Sequence, residues 1–434
     1  MTDDGQPTDP EPADPEPADP EQMTDKRVSS RRPRPVYTPY NVTEKELRRR
    51  RTRRHLRRRR RIAIAVFLLI FFIPAIYSWA STMGKPSSLP MGIRTIEWVR
   101  ENHGAWFVNT VERYYYTWTA PKKGGPGIKK IPTVGLKNDN GRPKPKPSEK
   151  PAYQPPDIKP VIRPGLANEG VWREVVKQIA GAPPILVTDF RPEPDYPSLV
   201  AYVAWIDTTR TQLALYPGRY EPPSGSPRGP MMVPPGQRWR LLATFNSGFT
   251  YGDGRGGFSI NGIQYTPLTT GFGTLVGYSS GKVDIITWHG GAVPGDSIML
   301  ARQNLPLIVD DGEPNPDLDT GQGWGYTLGG AVRVWRSAVG VDKMGDLIYL
   351  AAPAQTAPSI AQAIAHAGAV RAIELDINTE WPTFNTYGQG GGQDVSMLVP
   401  TYMQPSTRYL YPDDRDFFAV YSRLRGPITG VPLQ

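Results

Sequence analysis

Along the C-terminal two-thirds of the chain, short apolar runs alternate with turn-forming residues, a pattern that predicts strands joined in hairpins. "LVAYVAWID" and "TQLALYPG", on either side of "TTR", read as one hairpin. "RWRLLATFNSGF" is another strand, running into glycine. "GFGTLVGYSSGKVDIITWH" reads as strand, turn, strand, and "SAVGVDKMGDLIYLA" repeats that pattern around "DKMGD". "APSIAQAIAHAGA" has a helical period: Ser359 is the expected N-cap, Ile360 and Ile364 share a face, and Gly368 ends it. The expectation for residues 161–434 is an α+β domain, a mixed and largely antiparallel sheet with a few packed helices.

The pattern upstream is different. Ile62 to Ala80 is an uncharged apolar run that as a helix rises about 28 Å, one hydrocarbon thickness. Residues 62–80 therefore predict a transmembrane helix. A cleaved signal peptide ending at "SWA" competes, but the long preceding segment and the length of the apolar run favour an uncleaved anchor. Residues 81–120 are rich in Trp and Tyr and predict helix, either lying among the outer headgroups or packed on the domain. Residues 121–160 are Pro- and Lys-rich without apolar period and read as a linker, extensible to roughly 120 Å. Residues 1–47 carry almost no large apolar side chain and read as a disordered cytoplasmic tail.

Charge sharpens this division. Residues 1–160 hold 31 Lys+Arg against 17 Asp+Glu, whereas residues 161–434 hold 20 against 24. Much of the basic excess sits in residues 48–61, "RRRRTRRHLRRRRR", which alone would suggest nucleic acid. Beside the apolar run it reads instead as a positive-inside signal: single-pass in the cell membrane, N-terminus cytoplasmic, C-terminal domain extracytoplasmic, no nucleic-acid partner. The absence of cysteine excludes disulfides and thiolate metal sites.

Candidate chemistry centres on "VRAIELDINTEWPTF", where Glu374, Asp376, Asn378 and Glu380 fall at every second position. In an extended chain they share one face, opposite Leu375, Ile377 and Thr379. Like charges so arranged need a partner: an arginine, a divalent cation, or a raised pKa. Asp and Glu without Cys suit Ca²⁺ or Mg²⁺, which makes Asp376 and Glu374 candidate ligands. The competing reading is a solvated strand face. Trp381 and Phe384 follow at once, and aromatic rings stack on sugars. His289, in "TWHGG", precedes glycines and is a candidate for the cleft wall.

Three segments resemble the phosphodiester glycosidase family in its membrane-anchored actinobacterial form. "ATFNSGF" is similar to the family's Asn-Gly-Gly-Phe motif, "RSAVGV" to its Arg-Thr-Ala-Ile-Gly motif, and "AIAHAGAVRAIELDINTE" to its helix–strand unit ending in Leu-Asp-Gly-Gly-Gly-Ser. The glycine triplet is replaced here by Ile377, Asn378 and Thr379, while Asp376 is kept. The resemblance implies a glycosyl hydrolase that cleaves a sugar-1-phosphodiester or related cell-envelope glycan. Its site would draw on Asn246, Gly248 and Phe249 from the first motif and on Arg336 and Ser337 from the second.

Such a substrate loses a phosphomonoester, with a second pKa near 6, so general-acid help matters less than a carboxylate for the sugar and donors for the phosphate. Asp376 is the candidate carboxylate, Glu380 or Glu374 its partner, and Arg336 the phosphate fork. For Arg336 a plain salt bridge competes, and for Asn246 a plain turn residue. A non-catalytic glycan-binding or envelope-organising module on the same fold is the alternative for the whole domain.

Overall fold

The computed structural model describes residues 43–132, 152–320, 324, 333–388, 394–400 and 403–423. Most of the expected tail, the middle of the expected linker, and part of the glycine-rich stretch after Tyr387 lie outside them. The chain divides into two compact units, Met1–Phe72 and Ile73–Gln434. Helix α1 (Glu44–Met83) carries the basic run and the apolar run in succession, and among the described residues it is the one helix long and apolar enough to cross a membrane.

In the second unit the strands form antiparallel sheets, as expected for an α+β domain. The largest has eight strands, in the order Arg173–Glu174, Ile185–Phe190, Ala201–Ile206, Leu347–Gln355, Val334–Val341, Arg371–Ile377, Val309–Asp310 and Glu313–Pro314. One five-stranded sheet contains Phe258–Ile260, Ile298–Gln303 and the hairpin Gly273–Tyr278/Val283–Thr287. The other contains Phe384–Tyr387, Leu241–Asn246, Phe417–Ser422 and Thr211–Tyr216. One apolar core joins the three, with Tyr349 and Leu375 from the first, Phe258 and Leu275 from the second, and Phe245, Phe384 and Phe418 from the third.

The far face of the eight-stranded sheet is covered by α5 (Ala357–His366), the next helix in the chain after the single turn α4 (Tyr251–Gly254), and its Ile360 and Ile364 pack with Ala338, Ile348 and Leu350. Burial on both faces explains why the strands read as apolar runs. The α5 N-cap is Thr356, not Ser359; the two exchange side-chain and backbone hydrogen bonds in a capping box. Gly368, at φ 107°, ends the helix as expected.

One expected hairpin does not exist. Ala201–Ile206 pairs in the eight-stranded sheet, whereas Thr211–Tyr216 pairs with Phe417–Ser422 in another sheet. Asp207 turns the chain between them by accepting from the N–H groups of Thr209 and Arg210. Each strand is almost wholly buried, and a two-stranded ribbon could not cover both faces of either.

Helices α2 (Met91–Val99) and α3 (Ala105–Thr119) lie on the domain. Ser88 N–H donates to Pro412 O at 2.9 Å, five residues after α1 ends, and Leu89 and Ile93 bury against Trp381. The chain thus joins the domain before the Pro/Lys-rich segment begins, so that segment is not what spaces the domain from α1. Its described ends are themselves docked: Gly124 N–H donates to Asp195 O, Ile158 N–H to Gly170 O, and Ile131 and Ile158 are buried.

Candidate functional site

The strand Arg371–Ile377 alternates as its sequence predicts, but only to its end. Asn378 has φ 73°, a left-handed conformation that Asn tolerates better than most residues, and it turns the chain out of the strand. Glu380 therefore leaves the line of Glu374 and Asp376, and the solvated-face reading fails because both of those are buried. Each carboxylate meets its charge differently.

Glu374 is sealed in the interior, where Oε1 accepts from Arg336 Nη1. Burial pushes its carboxyl up, against the pull of Arg336. Arg336 is held on other sides too: Nε donates to Gln355 O at 3.0 Å and Nη1 also reaches Trp324 O at 3.3 Å. The guanidinium expected to grip phosphate is instead buried in a salt bridge, which is the plainer reading of that residue. Asn246 is likewise an interior brace. Its amide donates to Ser337 Oγ and Ser247 O, and its carbonyl accepts from Tyr349 OH and Thr383 N–H. Ser337 Oγ in turn donates to Asp376 O at 2.7 Å, and Asp376 N–H donates to Ser247 O at 2.9 Å. These residues hold the backbone of Asp376 from two sides.

Gly248 and Phe249 belong to the same scaffold. A Cβ on Gly248 would meet Asn304 at 3.0 Å. Asn304 uses this closeness: its carbonyl accepts from Phe249 N–H at 3.2 Å and its amide donates to Glu374 O at 2.6 Å.

The Asp376 side chain faces residues that sequence reasoning missed. Its Oδ2 accepts from Arg415 Nη2. The Arg415 guanidinium lies 4.4 Å from the centre of the Trp381 ring, and Arg408 approaches the same ring at 5.4 Å. Arg302 pairs with Asp416 at 2.7 Å and donates to Phe249 O; Arg408 pairs with Asp413 at 2.7 Å. Burial pushes the Asp376 carboxyl up to about 7, Asp416 and Asp253 add to the rise, and Arg415 and Arg302 oppose it. Arg415 keeps a buried Nε–H without a hydrogen-bond partner. The signal that could have found this group is "YPDDRDFF", an arginine set among three aspartates at the start of an apolar strand.

Glu380 is half-buried and burial raises its pKa, while its buried Oε2 has no partner. Trp381 is buried beneath Leu89 and Ile93. The residues standing where the glycine triplet would be are contacts for α3: Ile377 packs with Tyr116 and Phe249, and Thr379 Oγ1 lies 3.3 Å from Tyr116 OH. His289 is exposed just past the strand Val283–Thr287 and does not join the cluster. Glu374 and Asp376 each hold an arginine, one of the partners expected for them, and no group of three or more possible metal ligands occurs among the described residues.

No protein-family profile matches the chain, and no curated protein matches it by sequence. Solved structures do. The chain is similar to the catalytic domain of zebrafish N-acetylglucosamine-1-phosphodiester alpha-N-acetylglucosaminidase, auto-inhibited by its pro-peptide, with 14% identity over 57% of this chain and 87% of that one and a TM-score of 0.38. A hypothetical protein from Synechocystis matches at 14% identity, over 57% and 64% of the two chains, with a TM-score of 0.33. An exported protein from Burkholderia pseudomallei matches at 13% identity, over 53% and 75%, with a TM-score of 0.30. These likenesses are distant, and no residue role is carried over from them.

Proposed function

We propose that this chain is a membrane-anchored hydrolase of a sugar-1-phosphodiester, with Asp376 as the carboxylate that meets the anomeric carbon. The observation that carries this reading is the buried Asp376–Arg415 pair beneath Trp381, with its carboxyl near 7. Above that pH Asp376 is ionised, able to stabilise an oxocarbenium-like sugar or to take a proton from attacking water. Water adds to the anomeric carbon, the bond from that carbon to the phosphate oxygen breaks, and the phosphomonoester leaves with the electron pair. The unpaired Nε–H of Arg415 is a donor for that phosphate. Glu380, with an unpartnered buried oxygen, is the second carboxyl.

The test is release of free reducing sugar from methyl glucose 1-phosphate diester by the full chain in nanodiscs. Wild type should turn over with a rate that rises with pH through about 7, the folded pKa of Asp376. Asp376→Asn should lower the rate by about a thousandfold, roughly 4 kcal/mol of barrier. Equal rates for the two would remove Asp376 from the chemistry.

One observation favours the other reading, a glycan-binding module without turnover: α2 covers Trp381, and Arg415 and Trp381 are both almost wholly buried. Binding of the diester with no sugar released by any preparation would decide for it. The arginine-rich N-terminal half of α1 favours a cytoplasmic N-terminus. Protease added to spheroplasts should then remove the C-terminal domain and spare a tag at Met1; a protected domain would reverse the topology.

A further inference from the structure

A cleft lies between α2 and the domain on the Trp381–Arg415 side of the candidate site, and its walls combine three features. It spans about 520 Å³, counting the part open to solvent. One wall is Thr82, from the last turn of α1, with Arg94, Glu97 and Trp98 of α2; the other includes Trp381 and Arg415. First, Arg94 and Arg415 are each 9% exposed, and the Nε–H of each is buried without a hydrogen-bond partner. Arg94 Nε stands 3.8 Å from Asp414 Oδ2, within ion-pair range but too far for a hydrogen bond. Arg94 is ion-paired with Asp414 and Arg415 with Asp376, and Glu97, Glu101 and Glu221 line the same cleft, so what an oxyanion would meet there is the Nε–H left unpartnered on each arginine.

Second, two indole rings flank these cations. Trp98 Nε1 is tied to Ser78 Oγ at 3.1 Å, which leaves its ring as a wall, and Trp381 carries the Arg415 guanidinium. Aromatic walls beside carboxylates suit a polyol. Third, the cleft lies at the end of the apolar helix. Thr82 is two residues beyond Ala80, about 3 Å further along the axis. The headgroup layer on each side of a bilayer is several ångströms thick, so that distance keeps the cleft mouth within it. The α2 helix is fixed there by Trp79 Nε1 donating to Thr95 Oγ1 and by Arg94 donating to Met83 O.

We infer that this cleft receives the phosphorylated sugar headgroup of an amphiphile whose tail stays in the bilayer. This rests on the hydrolase reading above and narrows its substrate to a lipid-linked sugar phosphodiester, with Arg94 as a binding residue for the phosphate. A soluble oligosaccharide phosphate would gain nothing from a cleft walled by the last turn of a membrane helix.

The experiment uses the full chain in phosphatidylcholine nanodiscs and two probes, the methyl and the hexadecyl diesters of glucose 1-phosphate. Binding is read by ³¹P line broadening on the Asp376→Asn variant, so that turnover does not intervene, and hydrolysis is read separately on wild type. The expected result is one hexadecyl diester bound per chain, at least tenfold tighter than the methyl diester. Hexadecyl glucoside, with the same tail and sugar but no phosphate, should fail to compete. Adding Arg94→Gln should weaken hexadecyl binding at least tenfold, and Arg94→Lys should recover part of it. Equal affinity for the two diesters, no binding of either, or full competition by the glucoside would overturn the inference. The chain-length comparison needs no change at Arg94, so it stays decisive if Arg94→Gln disturbs α2. Binding of the hexadecyl diester without its hydrolysis would leave the cleft assigned and remove the hydrolase reading; hydrolysis of the methyl diester at equal affinity would do the reverse.

Discussion

Glu374 and Asp376 stand two residues apart on one strand, both buried and both bonded to an arginine, yet their surroundings are opposite. Glu374 and Arg336 form a closed pair. The arginine also donates to two main-chain carbonyls, and Glu374 is its only ion-pair partner among the described residues. Arg415, by contrast, feels Glu221, Glu97 and Asp416 besides Asp376, and it keeps an unmet donor. The first pair is sealed from solvent, and what it leaves unmet is an acceptor, the buried Glu374 Oε2, not a donor. The second is under-satisfied, crowded with like charge, and titrates near neutrality, which is where catalytic groups are found. The contrast makes the Asp376–Arg415 pair the candidate for function on its surroundings alone.

The comparison breaks most visibly at Arg336. Arg336→Met leaves Glu374 buried with no counter-charge, and removing one partner of such a pair costs about 3–5 kcal/mol. Arg415→Met should cost clearly less, because Asp376 can take up a proton near pH 7. Denaturant midpoints of the two variants at pH 7 check this. Equal losses would mean that the two pairs are the same kind of object.

Next in size is a difference in pH dependence. The Asp376 carboxyl is raised from 3.8 to about 7 in the fold, so the folded state holds its proton more tightly than the unfolded chain. The corresponding stability is fully present below pH 3.8 and is lost as pH rises through about 7. Asp376→Asn lacks that titration. The stability curves of wild type and variant should coincide near pH 4 and diverge by pH 8, with the Asn variant about 2–4 kcal/mol more stable. Parallel curves between those limits would show that Asp376 is an ordinary ionised carboxylate.

Part of this was legible in the chain. The apolar runs, the turn chemistry of "YSSGK" and "DKMGD", and the α5–strand unit ending at Asp376 follow from periodicity, and the structure has them. The failures came from contacts between segments remote in sequence. Nothing in "TTR" shows that the strands beside it belong to different sheets, because a register of apolar positions does not name its partner. Arg336 and Arg415 each sit in or beside an apolar strand, and local sequence does not reveal which of them faces Glu374 and which Asp376. The docking of α2 and α3 rests on few residues, Ile93 and Arg94 in the one and Tyr116 in the other, while the α3 aromatics Trp106, Tyr114 and Trp118 stay exposed.

The smallest effect tests whether α3 belongs to the Asp376 side alone. Tyr116 OH lies 3.3 Å from Thr379 Oγ1, and its ring packs on Ile377, which directly follows Asp376. Burial, with Glu380 nearby, raises the Tyr116 pKa, so the hydroxyl stays protonated and neutral. Tyr116→Phe keeps the ring and removes one long hydrogen bond, at a cost of about 0.5–1 kcal/mol. That corresponds to a melting temperature lower by roughly 1–4 °C for a domain of this size. Combined with Arg336→Met it should be additive within about 0.5 kcal/mol, because the closed pair shares no partner with α3. Combined with Arg415→Met it should be non-additive, since Arg415 lies on Trp381, in the loop that carries Thr379. Additivity in both double variants would mean that α3 rests on the domain without bearing on the candidate site.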